Sequence, residues 1–163
     1  MLSKESLVET IGLTAVVLSL VFVGVEVNES TRATRSATAA DTTATIAEWY
    51  SSISTDEQLN RVFRTYVVDP QALTIDEQYQ ATMAFHSLML ILQSSFYLEE
   101  EGTLSPELRR SMTQAILPMP GVRFYWEQRK SIFVNVDFIA FVDQTLSGEN
   151  THSEDLYVAP QEQ

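Results

Sequence analysis

An uninterrupted apolar stretch dominates the pattern of hydrophobic and polar positions at the start of the chain. It runs from Thr10 to Val25 without a charge and is bounded by Glu9 and Glu26. As a helix it covers ~24 Å, somewhat less than the ~30 Å hydrocarbon core of a bilayer, and flanking apolar residues extend it. Because the stretch is apolar on every side, it predicts a transmembrane helix over residues 10–27, preceded by a short lead over 1–9.

The same stretch has two other interpretations. A helix buried in a soluble core is also apolar all round, but a chain of 163 residues has few places to bury one completely. A cleaved signal peptide would fit the apolar length, yet the small-x-small sequence Ala37-Thr38-Ala39 lies about a dozen residues beyond the stretch. We therefore expect an uncleaved anchor.

No strong helix breaker follows the span as far as about Ile53, so we expect the same helix to continue out of the membrane. Small residues recur along it at helical spacing, which favours close packing against another helix. They are Gly12, Ala15 and Ser19 in the span and Ala33, Ala37, Ala40, Ala44 and Ala47 beyond it. Near Ala44 and Ala47 we expect packing inside the chain, and near Ala33 contact with another chain. The expected core face then continues through Ile46, Trp49, Tyr50 and Ile53.

Helix caps and helix breakers divide residues 28–146 into several helices, which we expect to form a helical bundle domain. Ser54 with Glu57, or Thr55 with Gln58, predicts the start of a helix that ends at Val68. The remaining predicted helices are Ile75–Glu101, Pro106–Leu117, Val122–Phe133 and Val136–Leu146. A Thr74–Glu77 capping box precedes the first of them and Gly102 follows it, Ser105 precedes the second, and Asn135 precedes the last. The fold class is thus all-α.

The longest of these helices contains the run Leu88-Met89-Leu90-Ile91-Leu92. This run predicts the central helix of the bundle, apolar almost all round, so we expect Leu90→Asp to unfold the domain. Polar residues on both sides make the run too short for a second span.

Composition narrows the classes of function. The chain has 22 acidic against 10 basic residues, a formal charge of −12, and such a surface disfavours binding to nucleic acid. It has no cysteine, which excludes disulfides and thiolate chemistry. Residues 147–163 carry four acids and no base and predict an acidic, disordered tail.

Two stretches give the chain a family resemblance. One is Asn28-Glu29-Ser30-Thr31-Arg32-Ala33 after the span. The other is Pro120-Gly121-Val122-Arg123-Phe124-Tyr125-Trp126-Glu127, followed by Phe138-Ile139-Ala140-Phe141-Val142-Asp143. Over about Ile11 to Leu146 the chain resembles a group of bacterial single-span membrane proteins with a C-terminal all-helical domain. No activity is established for that group, so the resemblance implies an architecture and no site residues.

Candidate chemistry is sparse. Thr82, His86, Gln93 and Tyr97 predict a polar seam along the central helix that would line a ligand site. The alternative is a core histidine satisfied by its neighbours. The sequence lacks the two Glu-x-x-His motifs of a di-metal bundle, since only Glu149 and His152 have this spacing, and it has no HExxH motif, Gly-rich phosphate loop or nucleophile elbow. We therefore expect no metal and no cofactor, and no motif points to catalysis. The basic pairs Arg109-Arg110 and Arg129-Lys130 are expected to pair with Glu99-Glu100-Glu101 or with anionic lipid.

Two main functions follow as hypotheses, and an enzyme is kept only as a residual third. The first is a membrane-anchored interaction or structural module, such as an accessory subunit of a larger complex, that binds a protein partner or itself at the bacterial inner membrane. The second is a membrane-tethered sensory domain with a ligand in the polar seam. Arg32 and Arg35 after the span, against Lys4 before it, favour a cytoplasmic C-terminal domain.

Overall fold

The computed structural model describes residues 4–119 and 121–148, with side chains from residue 12 onward, and every regular element in these ranges is helical. The all-α prediction is confirmed. The helices are α1 (Lys4–Thr55), α2 (Glu57–Val68), α3 (Ile75–Glu100), α4 (Pro106–Ile116), α5 (Val122–Arg129) and α6 (Val136–Ser147), with 3-10 turns at Pro70–Ala72 and Lys130–Ile132. Residues 1–3 of the expected lead and 149–163 of the expected tail lie outside the described residues.

Contacts divide the chain into two compact units, Met1–Thr38 and Ala39–Gln163. The described part of the first unit is a single stretch of α1, and none of its side chains between Gly12 and Val27 is buried. Phe22, for example, is 69% exposed. Two helices, α1 and α3, are long and apolar enough to cross a membrane by length and composition, and a third of the most apolar window of α3 is buried.

In the second unit, the last turns of α1 pack on the core through Thr42, Trp49 and Ile53. The indole Nε1 of Trp49 donates a hydrogen bond to the carbonyl of Ala84 at 3.1 Å. The expectation that Ala44 and Ala47 pack inside the chain is wrong, because both are exposed. The buried positions recur at spacings of seven and four on one side of α1, and the alanines occupy the opposite side.

The expected core face of α1 also needs a correction at Tyr50. Ile46 is half-buried and Trp49 and Ile53 are buried, but Tyr50 is 41% exposed and packs edge-on against Trp49. Its position one residue after Trp49 turns it about 100° around the helix axis, away from the core.

The capping boxes predicted at Ser54 and Thr55 do not form. Because α1 continues to Thr55, both residues are helical, and their hydroxyl groups donate to the carbonyl of Ser51 at 3.2 and 2.7 Å. Asp56 is the N-cap of α2 instead, and its carboxylate accepts the backbone N–H of Leu59 at 2.8 Å.

The predicted start and end of α3 are confirmed. Thr74 and Glu77 form the capping box, and Gly102 follows the helix with a φ of 71° that favours glycine. Phe85, Leu88 and Met89 are fully buried, but Leu90 is 46% exposed. The expectation that Leu90 lies in the core is therefore wrong, because α2, α4 and α5 pack on α3 and leave one side open.

The remaining helices lie close to their predicted positions. Ser105 and Asn135 cap α4 and α6 as expected. The helix predicted over Val122–Phe133 ends earlier, at Arg129, and continues as a 3-10 turn, with Trp126 and Phe133 buried as expected. A Cβ atom at Gly121 would lie 2.9 Å from Cδ1 of Tyr66, so only glycine allows this close approach before α5.

Candidate functional site

An apolar stripe runs along the exposed side of α3. Met83, Leu90 and Tyr97 follow one another at intervals of seven residues, so they share one face of the helix. All members are exposed, and Ile75 has 85% of its surface accessible. We call these residues the α3 stripe: Ile75, Tyr79, Met83, Leu90 and Tyr97. Over 22 positions the stripe is about 33 Å long, which is a contact surface for a helix or a large partner.

Exposed alanines recur along α1 in both units. Ala33 and Ala37 belong to the first unit and Ala40, Ala44 and Ala47 to the second, and all five are exposed. We call them the alanine seam. Gly12, Ala15 and Ser19, predicted as a helix-association face, are exposed as well. Their association with another helix remains a prediction.

A small cavity of about 290 Å³ separates the end of α1 from α3 within the second unit. Asp41, Thr42 and Thr45 line it from α1, and Leu90 of the α3 stripe lines it from the other side. Ser87, Ile91, Ser94 and Leu98 complete its lining on α3. At Leu90 the α3 stripe therefore borders an open cleft.

The predicted polar seam divides into two halves with different surroundings. In the first half, Thr82 donates to the carbonyl of Gln78 at 2.7 Å, and His86 Nδ1 shares a hydrogen bond of 2.5 Å with the hydroxyl of Tyr125. In the second half, Gln93 is half-buried and Tyr97 is an exposed member of the α3 stripe. The cavities described here are lined by other residues, and Thr82 and His86 are bonded to protein groups.

Two buried tyrosines lie beside this seam, on α2 and α5. Burial raises the pKa of Tyr125 to about 12, against the opposing charge of Arg129. Burial also raises the pKa of Tyr66, against a hydrogen bond with Thr82 and the same arginine. Both hydroxyls are therefore neutral at physiological pH and serve as hydrogen-bonding groups in the core. Sequence patterns did not indicate Tyr125, because its partner His86 is 39 residues away.

Charged side chains link neighbouring helices at two places in the second unit. The Arg109 guanidinium pairs with the Glu99 carboxylate, as predicted for this basic pair, and its Cζ lies 4.8 Å from the ring centre of Phe141. Burial lowers the pKa of Arg109, with a contribution from Arg110. Such a site joins α3, α4 and α6 and leaves the arginine little freedom to bind a ligand.

The other arrangement joins α5 to α6. The indole Nε1 of Trp126 donates to Asp143 at 2.7 Å, and Lys130 Nζ lies 3.3 Å from both carboxylate oxygens. The Trp126 hydrogen bond is the main reason that the pKa of Asp143 is lowered. Both partners come from the stretches that carry the family resemblance, and the structure gives them a role in holding two helices together.

A larger cavity, of about 1230 Å³, lies along α2. Its described lining consists of α2 and the two residues that flank it, from Asp56 to Asp69. Arg61 and Arg64 line its middle, and Phe63, Val67 and Val68 supply apolar surface. We call it the α2 groove. The sequence patterns did not predict it.

Within residues 4–119 and 121–148, no three histidine, cysteine or acidic side chains lie close enough together to hold a metal ion. Comparison of the chain with models of protein families, with curated proteins and with solved structures gave no match. The arguments about function below therefore start from the surfaces themselves.

Proposed function

We propose that this protein is a membrane-anchored helical interaction module that holds a protein partner at the bacterial inner membrane, as an accessory subunit of a larger complex. The observation that carries the proposal is uncovered apolar surface at two places. The stretch of α1 from Leu13 to Val27 is exposed on every side, and the second unit exposes the α3 stripe. Lipid suits the first surface and a protein the second.

The apolar stretch of α1 supports the anchor. From Thr10 to Val25 it carries no charge, and none of the most apolar window of α1 is buried in the structure. Arg32 and Arg35 follow it, and their positive charge favours a cytoplasmic location for the second unit. The resemblance to bacterial single-span proteins is part of this proposal and agrees with it.

The α3 stripe supports the interaction. Its residues are large and mostly unbranched or aromatic, which is the composition of protein contact surfaces. The alanine seam adds a face of small side chains, which lets a helix approach closely. In contrast, the polar seam near His86 bonds internally, so a partner protein fits the exposed surfaces better than a small ligand fits the core.

The test is purification of the full chain in mild detergent, followed by mass spectrometry of the proteins that come with it. Leu90→Asp changes the α3 stripe at an exposed position, and Val134→Asp is a matched control because Val134 is 86% exposed outside the stripe. We expect the wild type and Val134→Asp to retain the same partner and Leu90→Asp to lose it. Equal recovery from all three proteins would contradict a role for the stripe.

A further inference from the structure

Part of the α3 stripe has the spacing of a helix–helix contact. Ser87 and Ser94 lie among its larger members, and together they follow one another at intervals of four and three residues. We call these residues the heptad face: Met83, Ser87, Leu90, Ser94 and Tyr97, all exposed. Side chains with this spacing lie along one side of a helix, where a second helix packs knobs into holes. Large and small residues alternate along the face, so large side chains of a partner fit over the serines.

The end of α1 forms a side wall for the heptad face. Asp41 lies across the cleft of about 290 Å³ from Ser94. Further along α1, Trp49 bonds to the carbonyl of Ala84, so α1 and α3 are antiparallel here. Glu48 follows Asp41 by seven residues and therefore shares the side of α1 that borders the cleft. A helix that lies on the heptad face would thus contact α3 and, at its side, the end of α1.

Both helices that border the cleft carry charge of one sign. Residues 39–55 of α1 and the whole of α3 contain acidic residues and no lysine or arginine. The acids are Asp41 and Glu48 on α1 and Asp76, Glu77, Glu99 and Glu100 on α3. Glu77 and Glu99 pair with arginines of other helices, whereas the other four acids are exposed. Basic side chains on a partner would complement this charge.

The heptad face itself is free of such charge. Between Glu77 and Glu99, α3 contains no aspartate, glutamate, lysine or arginine, so a partner helix can cover the face without burying an ion. The same arrangement disfavours a second copy of this chain as the occupant, because pairing this face of two molecules brings their acids together. The occupant with complementary charge is therefore a different protein.

We propose that one amphipathic α-helix of a partner protein binds between the heptad face and the end of α1. Its apolar residues lie on Met83, Leu90 and Tyr97, and its lysine or arginine residues lie beside Asp41 and Glu48. From Met83 to Tyr97 the face is ~21 Å long, so about four turns of the partner helix cover it. This inference rests on the proposed function, since it names the chemistry of the partner that the α3 stripe binds.

Two synthetic peptides test the charge of the partner. Each is a fluorescently labelled helix of about 21 residues, ~31 Å long, with leucine and alanine alternating at intervals of four and three. One peptide carries lysine beside this apolar seam and the other carries glutamate. The target is the full-length protein in phosphatidylcholine nanodiscs, and empty nanodiscs give the background. We expect fluorescence anisotropy to show that the lysine peptide binds at least about tenfold more tightly than the glutamate peptide.

Charge reversal in the protein locates the basic side of the peptide. Asp41→Lys with Glu48→Lys should weaken binding of the lysine peptide about tenfold and strengthen binding of the glutamate peptide. Glu107→Lys with Glu127→Lys is the matched control, because it changes the net charge equally at exposed positions on α4 and α5. The control should leave both affinities within about twofold at physiological salt, where distant charges are screened.

Truncation of one side chain tests the apolar contact. Leu90→Ala should weaken binding of the lysine peptide about tenfold, because Leu90 is the middle of the heptad face. Val134→Ala removes a side chain that is 86% exposed outside the stripe, and it should leave the affinity unchanged.

Equal affinity for the two peptides, or binding that ignores the charge reversal, would overturn this inference. A dimer of the full chain in nanodiscs that Leu90→Ala dissociates would also overturn it and would assign the face to a second copy. Failure of the proposed function looks different, because no protein would then co-purify in a way that depends on Leu90. A co-purified partner that is lost with Leu90→Asp, but that the lysine peptide does not displace, would support the proposed function and overturn only this inference.

Discussion

Glu77 shows how much one half-buried side chain contributes to the arrangement of the helices. Its carboxylate accepts hydrogen bonds from the backbone N–H and the hydroxyl of Thr74, at 3.0 and 2.8 Å, and from Arg61 of α2 at 2.5 Å. The Arg61 hydrogen bond, with the Thr74 bonds, lowers the pKa of Glu77 from 4.5 to about 2. One residue therefore caps α3 and ties it to α2.

The pH dependence of stability follows from this lowered pKa. The unfolded state binds the proton near pH 4.5 and the folded state only near pH 2, so the stabilisation by Glu77 is complete above pH 4.5 and is lost as the pH falls towards 2. We expect Glu77→Gln to melt below the wild type at pH 7 and the difference to shrink between pH 4.5 and 2. Thermal melts over this range, followed by circular dichroism, measure it. A difference that does not change with pH would show that the charge of Glu77 is not involved.

The hydrogen bond between Tyr125 and His86 leads to a prediction about stability. Tyr125→Phe removes the hydroxyl that bonds His86 and leaves the half-buried ring nitrogen without that partner, so we expect a loss of ~1–3 kcal/mol in the free energy of unfolding. Tyr79→Phe is the matched control, because Tyr79 is exposed on the α3 stripe, and it should stay within about 0.5 kcal/mol of the wild type. Urea unfolding of the three proteins at pH 7 measures both values.

The same tyrosine also predicts how the stability changes at alkaline pH. The raised pKa of Tyr125 means that the unfolded chain loses its proton near pH 10 and the folded chain near 12, so stability falls as the pH rises across this interval. The fall should be smaller in Tyr125→Phe than in the wild type, as measured by urea unfolding at pH 9 and at pH 11. An equal fall in both proteins would place the cause in another group.

At the scale of helices, most helix caps could be predicted from the sequence, but the buried side of a helix could not always be predicted. The caps at Thr74, Ser105 and Asn135 could be predicted because a cap depends on residues three positions apart. The start of α2 was missed by one or two residues, because Ser54 and Thr55 bond back into α1. Which side of α1 or α3 is buried depends on contacts distant in sequence, and a run such as Leu88–Leu92 does not encode them.

The same limit applies to the candidate site. Thr82, His86, Gln93 and Tyr97 do follow one side of α3, as their spacing predicts. Only the structure shows that Tyr125 of α5 bonds to His86 and that Tyr97 is exposed. The α2 groove could not be predicted, since it depends on the space beside a helix and not on a pattern along it.

A pair of substitutions on α3 tests the orientation of this helix. Leu88 is fully buried, so Leu88→Asp places an unpaired charge in the core and should unfold the second unit at 25 °C. Leu90 is 46% exposed, so Leu90→Asp should lower the stability by no more than about 1 kcal/mol. Circular dichroism melts of the two variants give the answer. Unfolding by Leu90→Asp would restore the sequence-based expectation that Leu90 lies in the core.

At the scale of the whole molecule, the proposed anchor predicts how the protein behaves in cells. It should fractionate with the inner membrane and resist extraction with carbonate, because a spanning helix is held by the apolar surface between Leu13 and Val27. As a control, a chain that starts at Ala39 lacks this helix and should appear in the soluble fraction. Release of the full-length protein by carbonate would contradict the anchor.

Orientation requires a separate measurement. A reporter fused after Leu146 should act as a cytoplasmic protein, because Arg32 and Arg35 follow the apolar stretch and Lys4 alone precedes it as a basic side chain. Replacing both arginines with glutamine removes this bias and should produce a mixed orientation. Phosphatase activity of the wild-type fusion in the periplasm would reverse the assignment.

The two tryptophans of the chain act as separate optical probes of one domain. Trp49 bonds to the backbone of α3, whereas Trp126 bonds to a carboxylate of α6. Changing either indole to phenylalanine leaves a single emitter that reports on one end of the structure. Coincident fluorescence transitions from the two variants would mean that the end of α1 melts together with the α5–α6 pair as one cooperative unit. Separated transitions would divide the helical domain into two foldons, with the boundary along α3.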